Sequence, residues 1–191
     1  MNYQLKVEFK SLLFYLCYSI LVLLATTALA APIPATSSSS LIGADLGLFI
    51  SEYGFSIHAG GTSWIHTSPP KDMPALTTLY RSPNLTHGVQ PSLTVRVDQL
   101  KEALPLNKYA KQWMKDYPRL GFEVLASKPL RIGKEIAYLV DILNRDAGKQ
   151  LRQVVFVKER TAVVLTCRDH RDNFDQTVRT CNEIIKNFKW R

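Results

Sequence analysis

The sequence predicts an α+β domain in which an antiparallel β-sheet is sandwiched between helices, an α/β/α arrangement. Residues 135–167 carry the densest strand pattern, and turn segments at 145–148 and 159–160 divide this stretch into three antiparallel strands. In the first strand, both alternating sets of side chains are mostly apolar, so each face of the sheet needs a covering layer. Amphipathic helices before and after the three strands can supply those layers.

The N-terminal 30 residues, 1–30, have the composition of a secretory signal peptide. Lys6 and Lys10 give a positively charged start, a nearly uncharged apolar run follows, and Ala-Leu-Ala at 28–30 precedes a cleavage site. The alternative is a retained membrane anchor, for which the run is slightly short of the ~20 apolar residues that a span needs. We therefore expect an exported protein, periplasmic or secreted, with no membrane span after cleavage.

Two segments follow the signal peptide. Residues 31–45 combine prolines with a run of serines and show no apolar period, which predicts a flexible leader. Residues 46–191 carry the periodic apolar patterns. Their number suits one well-buried domain and is too small for two.

Local patterns predict the elements that surround the three central strands. Two glycines at 60–61 predict a hairpin turn between a strand at 53–57 and a strand that holds Trp64. Prolines within 69–74 predict a loop, and residues 91–98 alternate as a strand with one solvated face.

Two helices are predicted from apolar residues at helical spacing. The first starts at Pro105 and ends at Pro118, and the second follows a cap at Asp172 or Asn173. The apolar faces comprise Leu106, Tyr109, Ala110, Trp113 and Tyr117 in the first helix, and Phe174, Val178, Cys181, Ile185 and Phe188 in the second.

Basic residues make the chain a candidate for binding acidic partners. The formal net charge is +8, which favours anionic partners in general. Lys108, Lys111 and Lys115 lie on the outer face of the first helix, where they form either a docking surface or an ordinary solvated face. Nucleic acid is not expected as a partner, because these lysines lack interleaved exposed aromatic residues.

The lengths of the two turns place three chemically distinct residues in a row. A four-residue loop at 145–148 pairs Asp141 with Arg152, and a two-residue loop at 159–160 then places Arg152 opposite Cys167. With His170 leaning in from the following loop, this row is a candidate site for an anion or small ligand. The alternative is a cross-strand ion pair beside a buried cysteine.

Cysteine chemistry leaves two interpretations open. Removal of the signal peptide discards Cys17 and leaves Cys167 and Cys181, which can form a disulfide if their Cα atoms lie within ~7 Å. The rival is a catalytic Cys167 with His170 as base, although no oxyanion motif accompanies it. The other histidines show no close spacing with further ligands, so neither a structural metal nor a cofactor is expected.

Several segments share a recognisable set of core residues, namely YGFSI at 53–57, Trp64, the strands at 137–141, 152–158 and 163–166, Phe174, and IKNF at 185–188. This set resembles the PsbP-like superfamily. The chain departs from the family pattern at 59–63, where the family has a proline before the tryptophan. The resemblance implies an α/β/α sandwich that docks onto other macromolecules and has no shared catalytic apparatus.

Together these observations predict a non-catalytic accessory protein that docks onto another envelope component, either a protein or an anionic component. The alternative is a small-ligand-binding protein or hydrolase that uses the Asp141, Arg152 and Cys167 face with His170.

Overall fold

The computed structural model describes residues 47–191, so the predicted signal peptide and leader lie outside the described residues. The strands are β1 Phe49–Ile50, β2 Phe55–Ile57, β3 Ile65–Thr67, β4 Leu76–Arg81, β5 Ser92–Gln99, β6 Glu123–Ile132, β7 Glu135–Asn144, β8 Lys149–Lys158, β9 Thr161–His170 and β10 Lys189–Trp190. The helices are α1 Leu106–Met114 and α2 Phe174–Ile185, with short 3₁₀ helices at Pro118–Leu120 and Arg171–Asn173. Within 47–191, no helix is long and apolar enough to cross a membrane.

Seven strands form one antiparallel sheet in the order β3-β4-β5-β9-β8-β7-β6. Its centre is the three-stranded stretch that the sequence predicts, and the predicted register is confirmed. Asp141 pairs with Arg152, and Arg152 pairs with Cys167. Lys158 pairs with Thr161, which leaves a two-residue turn between β8 and β9. Hairpin loops of these lengths fix which side chains share a face.

Side chains that alternate along β8 belong to different hydrophobic clusters. Val154 and Phe156 pack in the cluster that contains Ile184 of α2. Val155 packs in a cluster with Tyr109 of α1. Because successive side chains of a strand point to opposite faces, the centre of the sheet is apolar on both faces, as the sequence predicts.

Antiparallel β-structure dominates the described residues, and the fold class is α+β. The two helices are short, nine residues for α1 and twelve for α2, beside four ten-residue strands in the sheet. Most residues of the edge strand β6 are exposed. A bulge between Val124 and Ala126, together with Pro129 and Lys128, makes this edge a poor template for further strand pairing.

The prediction of a hairpin around residues 60–61 is wrong. β2 pairs instead with β1 and with the C-terminal strand β10 in a separate three-stranded sheet, while β3 pairs with β4 in the large sheet. Aromatic packing accompanies this arrangement, since the ring centroid of Phe55 lies 5.4 Å from that of Phe188 and 6.2 Å from that of Trp190. The partner of β2 therefore comes from the far end of the chain.

Two further segments differ from the prediction. Residues 76–81, just beyond the proline-rich loop, form strand β4, which pairs with both β3 and β5. Residues 168–170, predicted as part of a loop, continue strand β9 and pair with β8. The continuous backbone pairing with β8 keeps this polar segment extended, although its side chains carry no apolar alternation.

Candidate functional site

Asp141 and Arg152 form a bidentate ion pair across β7 and β8. The Nε and Nη2 atoms of Arg152 each donate to one carboxylate oxygen of Asp141, both at 2.8 Å. The side chains are 22% and 14% exposed for Arg152 and Asp141 respectively. Hydrogen bonding to Asp141 raises the pKa of the Arg152 guanidinium. The remaining nitrogen, Nη1, lies 3.5 Å from Oδ1 of Asn182 in α2.

Cys167 and Cys181 form the disulfide that was one of the two predicted alternatives. Their Cα atoms are 6.0 Å apart, and the bridge joins β9 to the inner face of α2. Both residues are fully buried. Since the Sγ of Cys167 is bonded to another sulfur, no thiolate is available there, and the interpretation of Cys167 as a catalytic thiol is wrong for the bridged protein.

His170 does not join the row of Asp141, Arg152 and Cys167, which corrects the four-residue candidate site. Strand β9 continues through His170, so its side chain alternates away from the face that carries Cys167 and Asp169. Asp169 is buried on that face and accepts a hydrogen bond from Thr177 Oγ1 of α2 at 2.5 Å. The row and His170 therefore belong to different surroundings.

A cleft of about 470 Å³ lies beside the Asp141–Arg152 pair, between α2 and strands β6 to β8. Its lining includes Leu130, Ile132, Leu139, Arg152, Asn182 and Lys186. Most of this surface is apolar, and Asp141 already balances the charge of Arg152. An anion would have to displace a bidentate carboxylate to reach the guanidinium of Arg152, while the mainly apolar lining of the cleft suits an apolar group.

A second cleft, of about 440 Å³, was not found by sequence reasoning. Arg96 and Arg168 reach it from adjacent strands, with Thr94 and Thr166 between them. Arg96 is held by Asp98 and lies 3.8 Å above the ring of Trp113, while Nε of Arg168 donates to Ser92 Oγ. The residues come from β5 and β9, and only the pairing of these two strands reveals that they are neighbours.

Lys108, Lys111 and Lys115 are all exposed along α1 and its C-terminal end. Within residues 47–191, none of the three forms an ion pair with a carboxylate. The nearby Arg119 differs, because it lies 3.8 Å from Asp116. The opposite side of α1 is anchored by the buried Tyr109 and by Ala110. The helix thus presents three uncompensated positive charges from a fixed support.

Comparison with solved structures identifies the architecture. The solution structure of cyanobacterial PsbP (CyanoP) from Synechocystis sp. PCC 6803 covers 75% of this chain and 91% of its own, with a TM-score of 0.54 and 11% identity. The described residues have a PsbP-like fold. Two other structures share it. PA94 of Pseudomonas aeruginosa, a protein of unknown function, has a TM-score of 0.54 and 13% identity. It covers 75% of this chain and 96% of its own.

The third structure with this PsbP-like fold, from Bacteroides thetaiotaomicron, has a TM-score of 0.50 and 12% identity, and covers 75% of this chain and 48% of its own. No family model and no curated protein matches the sequence. The PsbP-like resemblance of the sequence is thus confirmed at the level of the fold.

Proposed function

We propose that this protein is a non-catalytic accessory protein that docks onto another envelope component through the basic face of α1. The observation that carries the proposal is the set of three exposed lysines, Lys108, Lys111 and Lys115, none of which is paired with a carboxylate of the described residues. Unpaired charges on one helix face attract an acidic partner and speed its encounter, and they do so without a deep pocket.

The support beneath the lysines favours docking. Trp113 of α1 lies under the guanidinium of Arg96, and Tyr109 donates a hydrogen bond to Asp98 of β5. These contacts attach α1 to the sheet, so the helix that carries the lysines has a fixed position. A preformed surface loses less conformational entropy when it binds.

The cysteine chemistry supports an exported, non-catalytic protein. A buried disulfide is typical of proteins in oxidising compartments, which agrees with export to the periplasm or beyond. The row that the sequence nominated as a site has no free thiol, and its arginine is engaged by Asp141. The PsbP-like resemblance likewise implies docking onto macromolecules without a shared catalytic apparatus.

The proposal is tested by reversing the charge of the basic face. We expect Lys108→Glu/Lys111→Glu/Lys115→Glu to lose its partner in pull-downs from envelope extracts at low salt, because an acidic partner is then repelled. The matched control is Lys71→Glu/Lys134→Glu/Lys189→Glu, which changes the net charge equally at exposed lysines elsewhere. Equal loss of capture in both variants would assign binding to overall charge and reject the proposed face.

The 470 Å³ cleft supports one alternative, a protein that binds a small ligand between α2 and the sheet. Its lining is mainly apolar, so the ligand would place an apolar group against Leu139 and Ile132. Leu139→Arg would fill the cleft with a charged side chain. Under the docking proposal this variant still captures the partner, whereas under the ligand-binding alternative it loses a small molecule that co-purifies with the wild-type protein.

A further inference from the structure

Two histidines and one aspartate from two segments of the chain, the loop at residue 87 and residues 170–172, meet at the end of β9. One ligand atom from each of His87, His170 and Asp172 lies within 4.8 Å of those of the other two. The His87 and His170 rings are stacked with their centroids 4.9 Å apart, and Nδ1 of His170 lies 3.4 Å from Oδ2 of Asp172. We propose that these residues bind a divalent transition-metal ion of the Zn²⁺, Cu²⁺ or Ni²⁺ class.

The chemistry of the three side chains matches this class of ion. Imidazole nitrogens suit Zn²⁺, Cu²⁺ and Ni²⁺, and one carboxylate completes a set that leaves a coordination position open to water or another ligand. Hard ions such as Mg²⁺ and Ca²⁺ prefer a set of oxygen ligands, which this cluster does not offer.

Each segment places its side chain for a local reason. His170 is the last residue of β9 and lies over the turn at Gly148, where a Cβ would come within 2.9 Å of Nε2 of His170. Asp172 lies in the 3₁₀ helix that follows β9. His87 lies in a tight loop closed by the bridge between Thr86 and Val89. The loop and the strand end are thus fixed, while the side chains of His87 and Asp172 are exposed.

Metal binding requires the ring of His87 to turn out of its stack with His170, because imidazole lone pairs lie in the ring plane and those of two stacked rings do not converge on one ion. Ligand atoms about 2.0–2.1 Å from a tetrahedral ion lie roughly 3.4 Å from one another, so separations of up to 4.8 Å must close by about 1.4 Å. His87 and Asp172 are exposed and can rotate toward the partly buried His170. The backbone of β9 does not have to move.

Two positive charges oppose a cation at this position and limit its affinity. Nε of Arg171 lies 3.3 Å from Oδ1 of Asp172, and Lys149 is the cross-strand partner of His170. Replacement of Arg171 by glutamine should therefore strengthen the site, because it removes a competitor for the carboxylate of Asp172.

A purely structural role accounts for only part of the cluster. Nδ1 of His170 accepts a hydrogen bond from the backbone N–H of Asp172, which caps the 3₁₀ helix. That role does not involve His87, whose contact with His170 is through the stacked rings. His87 therefore distinguishes a metal site from a helix cap.

The test is calorimetric titration of the tag-free full chain with Zn²⁺. We expect one ion per chain, with affinity weakened at least about tenfold by His87→Asn and by Asp172→Asn, and strengthened by Arg171→Gln. Asparagine suits position 87 because the backbone there has φ +49°, which asparagine tolerates. In the Cu²⁺ paramagnetic resonance spectrum, the wild type should show nitrogen hyperfine coupling from two imidazoles. His87→Asn should show coupling from only one imidazole.

His58→Asn is the control, since His58 lies outside the cluster and should leave Zn²⁺ binding unchanged. Absence of Zn²⁺ binding by the wild-type chain at about 0.1 mM Zn²⁺, which is about 100-fold above a Kd of about 1 μM, would overturn the proposal. Binding that His87→Asn and Asp172→Asn leave unaltered would overturn it equally, because the ion would then lie elsewhere.

Discussion

Two ion pairs of the same chemical type differ in exposure, and this difference determines how much each residue contributes to stability. Asp141–Arg152 lies beside α2 with side chains 14% and 22% exposed, whereas Glu123–Arg145 lies at the sheet edge with side chains 50% and 64% exposed. Water screens the exposed pair, while loss of one partner in the half-buried pair leaves a desolvated charge.

We expect Arg152→Gln to lower the free energy of unfolding by about 2 kcal/mol, because Asp141 then loses both hydrogen bonds of the guanidinium. The matched variant Arg145→Gln should cost less than about 1 kcal/mol. Urea unfolding of the two variants and the wild type measures the difference. Similar costs at both positions would contradict the interpretation of Asp141–Arg152 as a structural pair.

Tyr117 makes the protein sensitive to alkaline pH. Its phenol is buried and donates a hydrogen bond to Gln153, and burial raises its pKa to about 12 from the ordinary value of 10. The contribution of the neutral phenol is therefore complete below pH 10 and is lost as the pH rises through the window from 10 to 12. Burial also raises the pKa values of Tyr80 and Tyr109, so loss of their protons at high pH likewise lowers the free energy of unfolding.

We expect the free energy of unfolding to fall between pH 10 and pH 12, and to fall less steeply in Tyr117→Phe, which has no proton to lose. Urea titrations at a series of pH values measure both slopes. Tyr53→Phe is the control, since Tyr53 is exposed. An identical slope in the wild type and Tyr117→Phe would show that the buried phenol does not contribute.

At the scale of elements, the disulfide attaches α2 to the sheet. Cys167 lies in β9 and Cys181 in α2, so the bridge closes a short loop in the unfolded chain and limits its conformational freedom. The same helix is also held by Phe174 and Ile184, which are buried in the cluster beneath it. The bridge thus adds to a helix that already has an apolar inner face.

We expect Cys167→Ala/Cys181→Ala to lower the free energy of unfolding by about 3 kcal/mol, the value for a loop of about 15 residues. Reductant should destabilise the wild type in urea by a similar amount and should have no effect on the double variant. A double variant within about 0.5 kcal/mol of the wild type would show that the bridge does not stabilise the fold.

Local signals explain which elements could be predicted. The strands β7 to β9 and both helices have their own alternation or helical period, and the turn lengths fix the register that aligns Asp141, Arg152 and Cys167. The pairing of β2 with β10 was missed, because it joins distant parts of the chain and depends on contacts such as Phe55 with Phe188. Strand β4 was missed because its signal follows a run of prolines.

The same reason separates the predicted from the unpredicted site residues. The pairing of Cys167 with Cys181 could be predicted as one of two alternatives, because only a short segment separates the strand and the helix that carry them. The sequence pattern does not place His170 in β9, because the polar segment that contains it is typical of a loop, and its contact with His87 joins two segments far apart in the chain. No spacing pattern in the sequence predicts that these two segments come into contact.

In the whole molecule, the interior stabilises the fold and the surface carries the proposed binding site. The interior holds a PsbP-like sheet with apolar clusters on both faces, and its ion pair and disulfide fix the packing of α2. The function that we propose lies outside this interior, on the lysines of α1. Stability and partner binding should therefore respond to different substitutions.

Site-specific photocrosslinking in the cell that produces the protein tests this claim most directly. A photoreactive side chain at Lys111, in the centre of the basic face, should yield a discrete crosslinked partner, and the same side chain at Lys134, in the exposed turn between β6 and β7, should not. Crosslinks to the same partner from both positions, or from Lys134 alone, would contradict docking through α1.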